Sequence, residues 1–184
     1  MAIEKNITMV KSSLWHNIFK TSGNQQKIFQ LLKSFPGFAN LKKREIKEIQ
    51  KVAQVRDFLK NETIFFQGDP GFSMFIIDSG KVDITYEFKN GDKQDLATLY
   101  PGDFFGEMNV ILEGKRTATA TAIENSKVLI IFRPDLHEII EKDHSVGVRI
   151  LNGFSKIFVL KLRNLNSDYL NILELLSEDK QTQK

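Results

Sequence analysis

The 184-residue sequence predicts an α+β fold, an antiparallel β-sandwich or barrel flanked by helices. Three observations carry that expectation. Gly68, Gly80, Gly91, Gly102 and Gly114 lie 12, 11, 11 and 12 residues apart, the spacing of short strands joined by tight turns. Between those turns Val82, Ile84, Tyr86 and Phe88 alternate with Asp83, Thr85 and Glu87, a period of two that gives a strand one buried and one wet face. On both sides of this region the apolar residues switch to helical spacing.

The elements follow in order. Leu14, Ile18 and Phe19 form one apolar helical face, with Gly23 as its stop. Ile28, Leu31, Leu32 and Phe35 form a second, ended by Pro36-Gly37. Ile46, Ile49, Val52 and Ala53 give a third helix with Asn40 as its N-cap. Strands are expected over Gln54–Leu59, Thr63–Gln67, Ser73–Asp78 and Val82–Phe88. Asn90-Gly91 closes the last of these as a hairpin onto Gln94–Tyr100. Two more strands are expected near Thr117–Ile123 and Lys127–Phe132. Pro134 is placed where a first helical turn tolerates it, opening a short helix through Leu136, Ile139 and Ile140. A long helix then runs from about His144 to Leu176. Along it Phe158, Leu162, Leu165, Tyr169, Ile172 and Leu176 are spaced 4, 3, 4, 3 and 4, a heptad stripe. An unpaired helix would leave that stripe exposed, so a cover is implied. A second copy of the chain is preferred to the chain's own N-terminal helices.

Composition excludes several classes. The length allows one domain with extra helices, and 41% apolar with 27% charged residues is the balance of a globular protein. No apolar run reaches the ~18–20 residues of a membrane span, and the start of the chain is too polar for a secretory signal. The absence of cysteine removes disulfide, thiol and Cys-ligated zinc chemistry and suits a reducing, cytoplasmic setting. His16, His137 and His144 fall outside the expected strands with no ligand-like spacing, and no Ser-His-Asp pattern stands out. No metal site, no catalytic residue and no enzymatic activity are therefore expected. Charge is uneven. Residues 1–60 hold twelve Lys/Arg and four Asp/Glu (12 − 4 = +8), while residues 61–184 hold fourteen and nineteen (14 − 19 = −5). Solvated helix faces are the plain reading; an acidic partner, a phosphate-rich surface or the chain's own acidic half are the others.

The stretch Pro101-Gly102-Asp103-Phe104-Phe105-Gly106-Glu107-Met108, continuing through Gly114-Lys115-Arg116-Thr117-Ala118-Thr119, carries the chemistry. Pro-Gly-Asp is a turn, Phe104-Phe105 a buried pair, and Gly106–Val110 opens a short helix whose free N–H groups attract an anion. Arg116 enters a strand beside small residues that leave space, and its guanidinium can chelate two phosphate oxygens. Glu107 can accept hydrogen bonds from a hydroxyl. The pair describes a pocket for a phosphate and a neighbouring hydroxyl; the competing reading is a buried Glu107–Arg116 salt bridge joining two loops.

In full, the string resembles the phosphate-binding cassette of the cyclic nucleotide-binding domain family. That cassette stands here as Phe105-Gly106-Glu107-Met108 followed nine residues after Glu107 by Arg116-Thr117-Ala118-Thr119. Family-like turns recur in Phe65-Phe66-Gln67-Gly68-Asp69, Met74–Gly80 and Pro101-Gly102-Asp103, and the match spans roughly residues 38–165. The resemblance implies a β-roll (a double-stranded β-helix, jelly-roll-like) between N-terminal helices and a long C-terminal helix. It divides the chain into an N-terminal helical extension (1–37), a cyclic nucleotide-binding roll with its cassette (38–142), and a hinge, lid and dimerisation helix with a polar tail (143–184).

The resemblance also implies roles. Arg116 would pair with the cyclic phosphate, helped by the short helix and the Ala118 N–H, with Thr117 adding a hydroxyl. Glu107 would accept the ribose 2′-OH, and Gly106 would let the backbone approach. The purine would rest on Ile84, Leu96 and Ala97, with Lys161, Leu165 and Asn166 as candidate lid contacts. Cyclic AMP is preferred as ligand, with cyclic GMP the alternative because Thr117 can also bond a guanine. No helix-turn-helix module follows the long helix, so sequence-specific DNA binding is not expected. The implied function is a cyclic nucleotide sensor that moves its C-terminal helix, forms a homodimer through it, and signals to a separate effector protein. The alternative is a ligand-free domain acting as a protein–protein adaptor.

Overall fold

The computed structural model describes residues 22–182. The helix expected over Leu14, Ile18 and Phe19 lies outside them, and Gly23 falls in the first turn of the next helix.

Helix α1 (Ser22–Ser34) buries Ile28 and Leu32. It stops where Pro36 forces Phe35 into an extended conformation, and a 3-10 turn, Pro36–Phe38, follows. Helix α2 (Lys43–Val52) buries Ile46 and Ile49. Its N-cap is Lys42, not the expected Asn40. The Glu45 carboxylate supplies the capping: it reaches back from the first turn and accepts the Lys42 N–H at 2.8 Å.

Ten strands follow: β1 (Gln54–Phe58), β2 (Thr63–Phe65), β3 (Pro70–Gly71), β4 (Ser73–Ser79), β5 (Val82–Glu87), β6 (Lys93–Leu99), β7 (Phe104–Phe105), β8 (Gly114–Lys115), β9 (Thr119–Ala122) and β10 (Ser126–Phe132). They form antiparallel sheets in the orders β1-β10-β4-β7 and β2-β9-β5-β6, with a separate pair β3-β8. Helix α3 (Met108–Ile111) lies between β7 and β8; α4 (Arg133–Lys142) and α5 (His144–Thr182) close the chain.

The two larger sheets share an apolar layer in which Phe58, Phe75, Phe105 and Val128 of the first meet Val82, Ala120 and Ala122 of the second. The opposite face of the first sheet, through Met74, Ile76, Leu129 and Ile131, packs on the helices. This explains the unbroken apolar run of β4, which is covered on both sides. In β5 the alternation is real but burial fades along the strand, from Val82, fully buried, to Tyr86 and Phe88, both exposed. Strand β9 pairs with β5 only as far as Thr85, so this end of the hairpin has one strand neighbour. Strand β9 starts at Thr119 rather than Thr117 and leaves Arg116, Thr117 and Ala118 outside regular structure.

Helix α5 is capped by Asp143, whose Oδ1 accepts the N–H groups of Ser145 and Val146. Val146, Ile150, Phe154 and Ile157 enter the helix-facing core. At Gly153 the helix meets the 3-10 turn so closely that a Cβ would run into the Gly37 backbone. Beyond Phe158 no residue through Ser177 is buried. Leu162, Leu165, Tyr169, Ile172 and Leu176 are all more than half exposed, so the heptad stripe is not covered by the described part of this chain.

Candidate ligand-binding site

The cassette begins at a turn whose Asp103 carboxylate accepts the Tyr100 N–H at 2.9 Å. Strand β7 then pairs with β4, and Phe105 stacks on Phe75 with centroids 4.9 Å apart. Phe105 is buried as expected, while Phe104 is only half-buried. The chain turns sharply at Gly106, where φ is +70° and a Cβ would stand 2.5 Å from Arg116 Nη1. Both the backbone conformation and the close approach require glycine here. Glu107 follows at the N-cap of α3, and Val110 anchors that turn in the core.

Arg116 arrives from the other side. The β3-β8 pair holds its loop, and its own N–H and C=O bond to Asp69 O and Gly68 N at 2.8 and 2.9 Å. It therefore follows a strand rather than entering one. The side chain is 5% exposed. Nη1 donates to Ser73 O at 2.8 Å and to Asn109 Oδ1 at 3.3 Å, and Nη2 donates to Ser73 Oγ at 3.0 Å. The guanidinium lies 4.2 Å from the Phe65 ring centroid. Every acceptor is neutral, and among the described residues Nε has no partner. Among the described residues no carboxylate comes within salt-bridge distance of Arg116, so the Glu107–Arg116 ion pair weighed from the sequence is not formed. Burial pushes the Arg116 pKa down to about 10, and the more distant charges of Asp69 and Glu107 offset this only in part.

Glu107 is 3% exposed and accepts a hydrogen bond from Lys161 Nζ of α5 at 2.7 Å. The same ammonium lies 5.4 Å from the Phe104 ring centroid. This ion pair ties the C-terminal helix to the cassette.

Phe105, Gly106, Glu107, Met108, Arg116, Thr117, Ala118, Ile84, Ala97 and Lys161 together line one cavity of about 370 Å³. Leu96 does not: it is 56% exposed. The β5-β6 register steps from Ile84↔Ala97 to Thr85↔Asp95, leaving Leu96 as the bulged residue. Ala97 and Leu99, two apart, face inward instead, and that alternation was the signal available for Leu99. Leu165 and Asn166 do not line the cavity either; they lie a turn beyond Lys161, about 6 Å further along the axis. Ser73 and Asn109, the anchors of Arg116, had no sequence signal.

The arrangement is a cavity with apolar walls, one buried cation without a counter-ion among the described residues, and one buried carboxylate held by a half-exposed lysine. Residues 55–143 match the family described as the cyclic nucleotide-binding domain. This stretch of the chain carries a domain of that family. It is similar to the cyclic AMP receptor protein of Thermus thermophilus, 35% identical over 111 residues, covering 60% of this chain and 51% of that protein. Similarity extends to a CRP-like cAMP-activated global transcriptional regulator of Mycobacterium tuberculosis, 28% identical over 136 residues, covering 74% and 59%. Among solved structures, the Thermus thermophilus catabolite activator protein superposes with a TM-score of 0.66 at 31% identity, covering 77% of this chain and 63% of that one. The N-terminal domain of a transcriptional regulator from Streptomyces coelicolor A3(2) gives 0.66 at 27% identity, covering 74% and 93%. These relatives are receptors and regulators rather than catalysts. The chain spans between half and six-tenths of the length of these two curated relatives.

Proposed function

We propose that this chain is a cyclic nucleotide sensor, with cyclic AMP preferred to cyclic GMP, that passes binding to a separate effector by moving its C-terminal helix. The observation that carries this reading is the state of Arg116. A buried guanidinium with only neutral acceptors is costly, and the cavity beside it is where an anion would relieve that cost. A cyclic phosphate supplies the anion; the ribose hydroxyl falls to Glu107; Ile84, Ala97 and Leu99 offer the purine an apolar wall. The preference for cyclic AMP draws on the names of the Thermus and Mycobacterium relatives, while Thr117 suits either purine.

Helix movement follows from the Lys161–Glu107 pair. One oxygen of a nearly buried carboxylate is already occupied by α5, so a ribose hydroxyl and Lys161 compete for it. Displacing Lys161 frees α5, with the segment Phe132–Ile140 as the hinge. A full switch from 1:99 to 99:1 needs a differential of about 5.5 kcal/mol, of which an Arg–phosphate contact of ~2–5 kcal/mol supplies a large part.

In this reading the two packed sheets are the roll of a binding unit over residues 38–142, residues 143–184 are hinge, lid and dimer helix, and residues 1–37 are an extension. The exposed heptad stripe of α5 pairs with a second copy, and the setting is cytoplasmic. A ligand-free adaptor is the second reading, favoured by the same Lys161–Glu107 pair if it holds permanently. Calorimetry with cyclic AMP and cyclic GMP, beside a measurement of solution mass, tests the proposal. Saturable binding and a mass of twice the chain support it; no heat at millimolar nucleotide supports the adaptor.

A further inference from the structure

The charge asymmetry of the sequence has a structural counterpart that the nucleotide site does not use. Helices α1 and α2 lie side by side and leave a groove of about 940 Å³ between them. Five cations line it, Lys33 from α1 and Lys43, Arg44, Lys47 and Lys51 from α2, with glutamine side chains between them and Phe29 at its floor. Among the described residues no acidic side chain contributes to the lining. Of the five cations only Lys51 has a carboxylate partner among the described residues, Glu48 at 2.8 Å. Four acids of the chain are paired away from the groove: Asp78 with Lys27, Glu62 with Arg56, Glu124 with Lys81 and Glu107 with Lys161. Residues 1–21 carry three lysines against one glutamate and so do not complement the groove. Arg44 and Lys51 also border Glu45, Glu48 and Glu138 on the far side of α2, so the uncompensated part of the groove is the row Lys33, Lys43 and Lys47, which have no ion-pair partner among the described residues.

We infer that this groove docks an acidic helix of a protein partner. Lys43, Lys47 and Lys51 recur every fourth residue along α2, which places them about 6 Å apart in a line. A helix with carboxylates at every fourth position presents the same spacing. Neighbouring packed helices stand roughly 8–10 Å apart, so the trough between them accepts another helix but not the much wider body of a nucleic-acid duplex. A single strand would need exposed aromatic platforms, and the groove's one aromatic, Phe29, packs against the core. The inference is independent of the nucleotide site, since no residue lines both cavities.

The test uses fluorescence anisotropy with the full chain and three labelled probes. These are a helical alanine-rich peptide with glutamate at every fourth residue, a scrambled peptide of equal composition, and an oligothymidylate. The spaced peptide is expected to bind most tightly and to weaken as salt rises. Lys43→Glu with Lys47→Glu should reduce its binding by about tenfold or more. Lys60→Glu with Lys89→Glu, the same charge change at exposed positions away from the groove, should leave it within about twofold. Circular dichroism checks that both variants fold, and the single changes replace a double variant that does not. Equal binding of the scrambled peptide, tighter binding of the oligothymidylate, equal losses in both double variants, or no binding at all would overturn the inference.

Discussion

Replacing Arg116 with methionine separates a ligand-holding arginine from a structural one. The side chain is buried, meets only neutral acceptors and has one unpartnered donor. Burial lowers its pKa to about 10, which corresponds to roughly 3 kcal/mol spent on keeping the cation charged in the ligand-free fold. Methionine removes that cost but strands the Ser73 and Asn109 acceptors, at about 1–3 kcal/mol. The two nearly cancel, so the ligand-free melting temperature should stay within about 5 °C of the parent. Nucleotide binding has no such compensation. Loss of the partner to a buried phosphate costs ~2–5 kcal/mol, a fall in affinity of about 30- to 4,000-fold. Thermal melts with and without cyclic AMP read both quantities in one experiment. A variant that binds within about threefold of the parent would refute the assignment. So would a collapse in ligand-free stability, which would show that the arginine is a structural anchor.

Three further outcomes follow from the same geometry. Glu107→Ala should abolish the preference for ribo- over 2′-deoxyribo-cyclic nucleotide, measured by competition; a retained preference would place the hydroxyl contact elsewhere. Lys161→Ala should tighten cyclic nucleotide binding by about fivefold, since it removes a competitor worth ~1 kcal/mol in a half-exposed pair. Weaker binding would instead make Lys161 a contact of the ligand. In pH titrations, affinity should hold level below about pH 9 and fall as pH passes the Arg116 value of about 10. The sign follows because only the protonated guanidinium pairs with phosphate, so the bound form holds its proton more tightly than the free form. A rise in affinity across that range would contradict the pairing.

What the sequence disclosed was decided by local chemistry. Asn90-Gly91, Pro36 and Pro134 act on their immediate neighbours, and the expected boundaries at these turns and helix ends agree with the structure to within a residue or two. The cassette was legible because its members lie within fifteen residues of one another (Thr119 from Phe105). The missed features depend on partners distant in the chain. Ser73 anchors Arg116 from 43 residues away, and only the pairing of β3 with β8 brings them together. Leu96 loses its place because a bulge shifts the phase of β6, and no composition rule marks a bulge without a glycine. Helix α2 is capped by Glu45 through one carboxylate oxygen, while the other meets Arg149 of α5 at 2.6 Å, a partner 104 residues away. Tyr86 and Phe88 obey the strand period yet stay exposed, since alternation shows which face turns inward but not how far the neighbouring strand β9 extends.

The most direct test of the account is a crystal structure of the chain grown with cyclic AMP. The account predicts electron density for one nucleotide in the Arg116 cavity, its phosphate oxygens within hydrogen-bond reach of the guanidinium and its 2′-hydroxyl on Glu107. Nucleotide bound elsewhere on the surface, or a cavity filled by the chain's own side chains at saturating ligand, would contradict it.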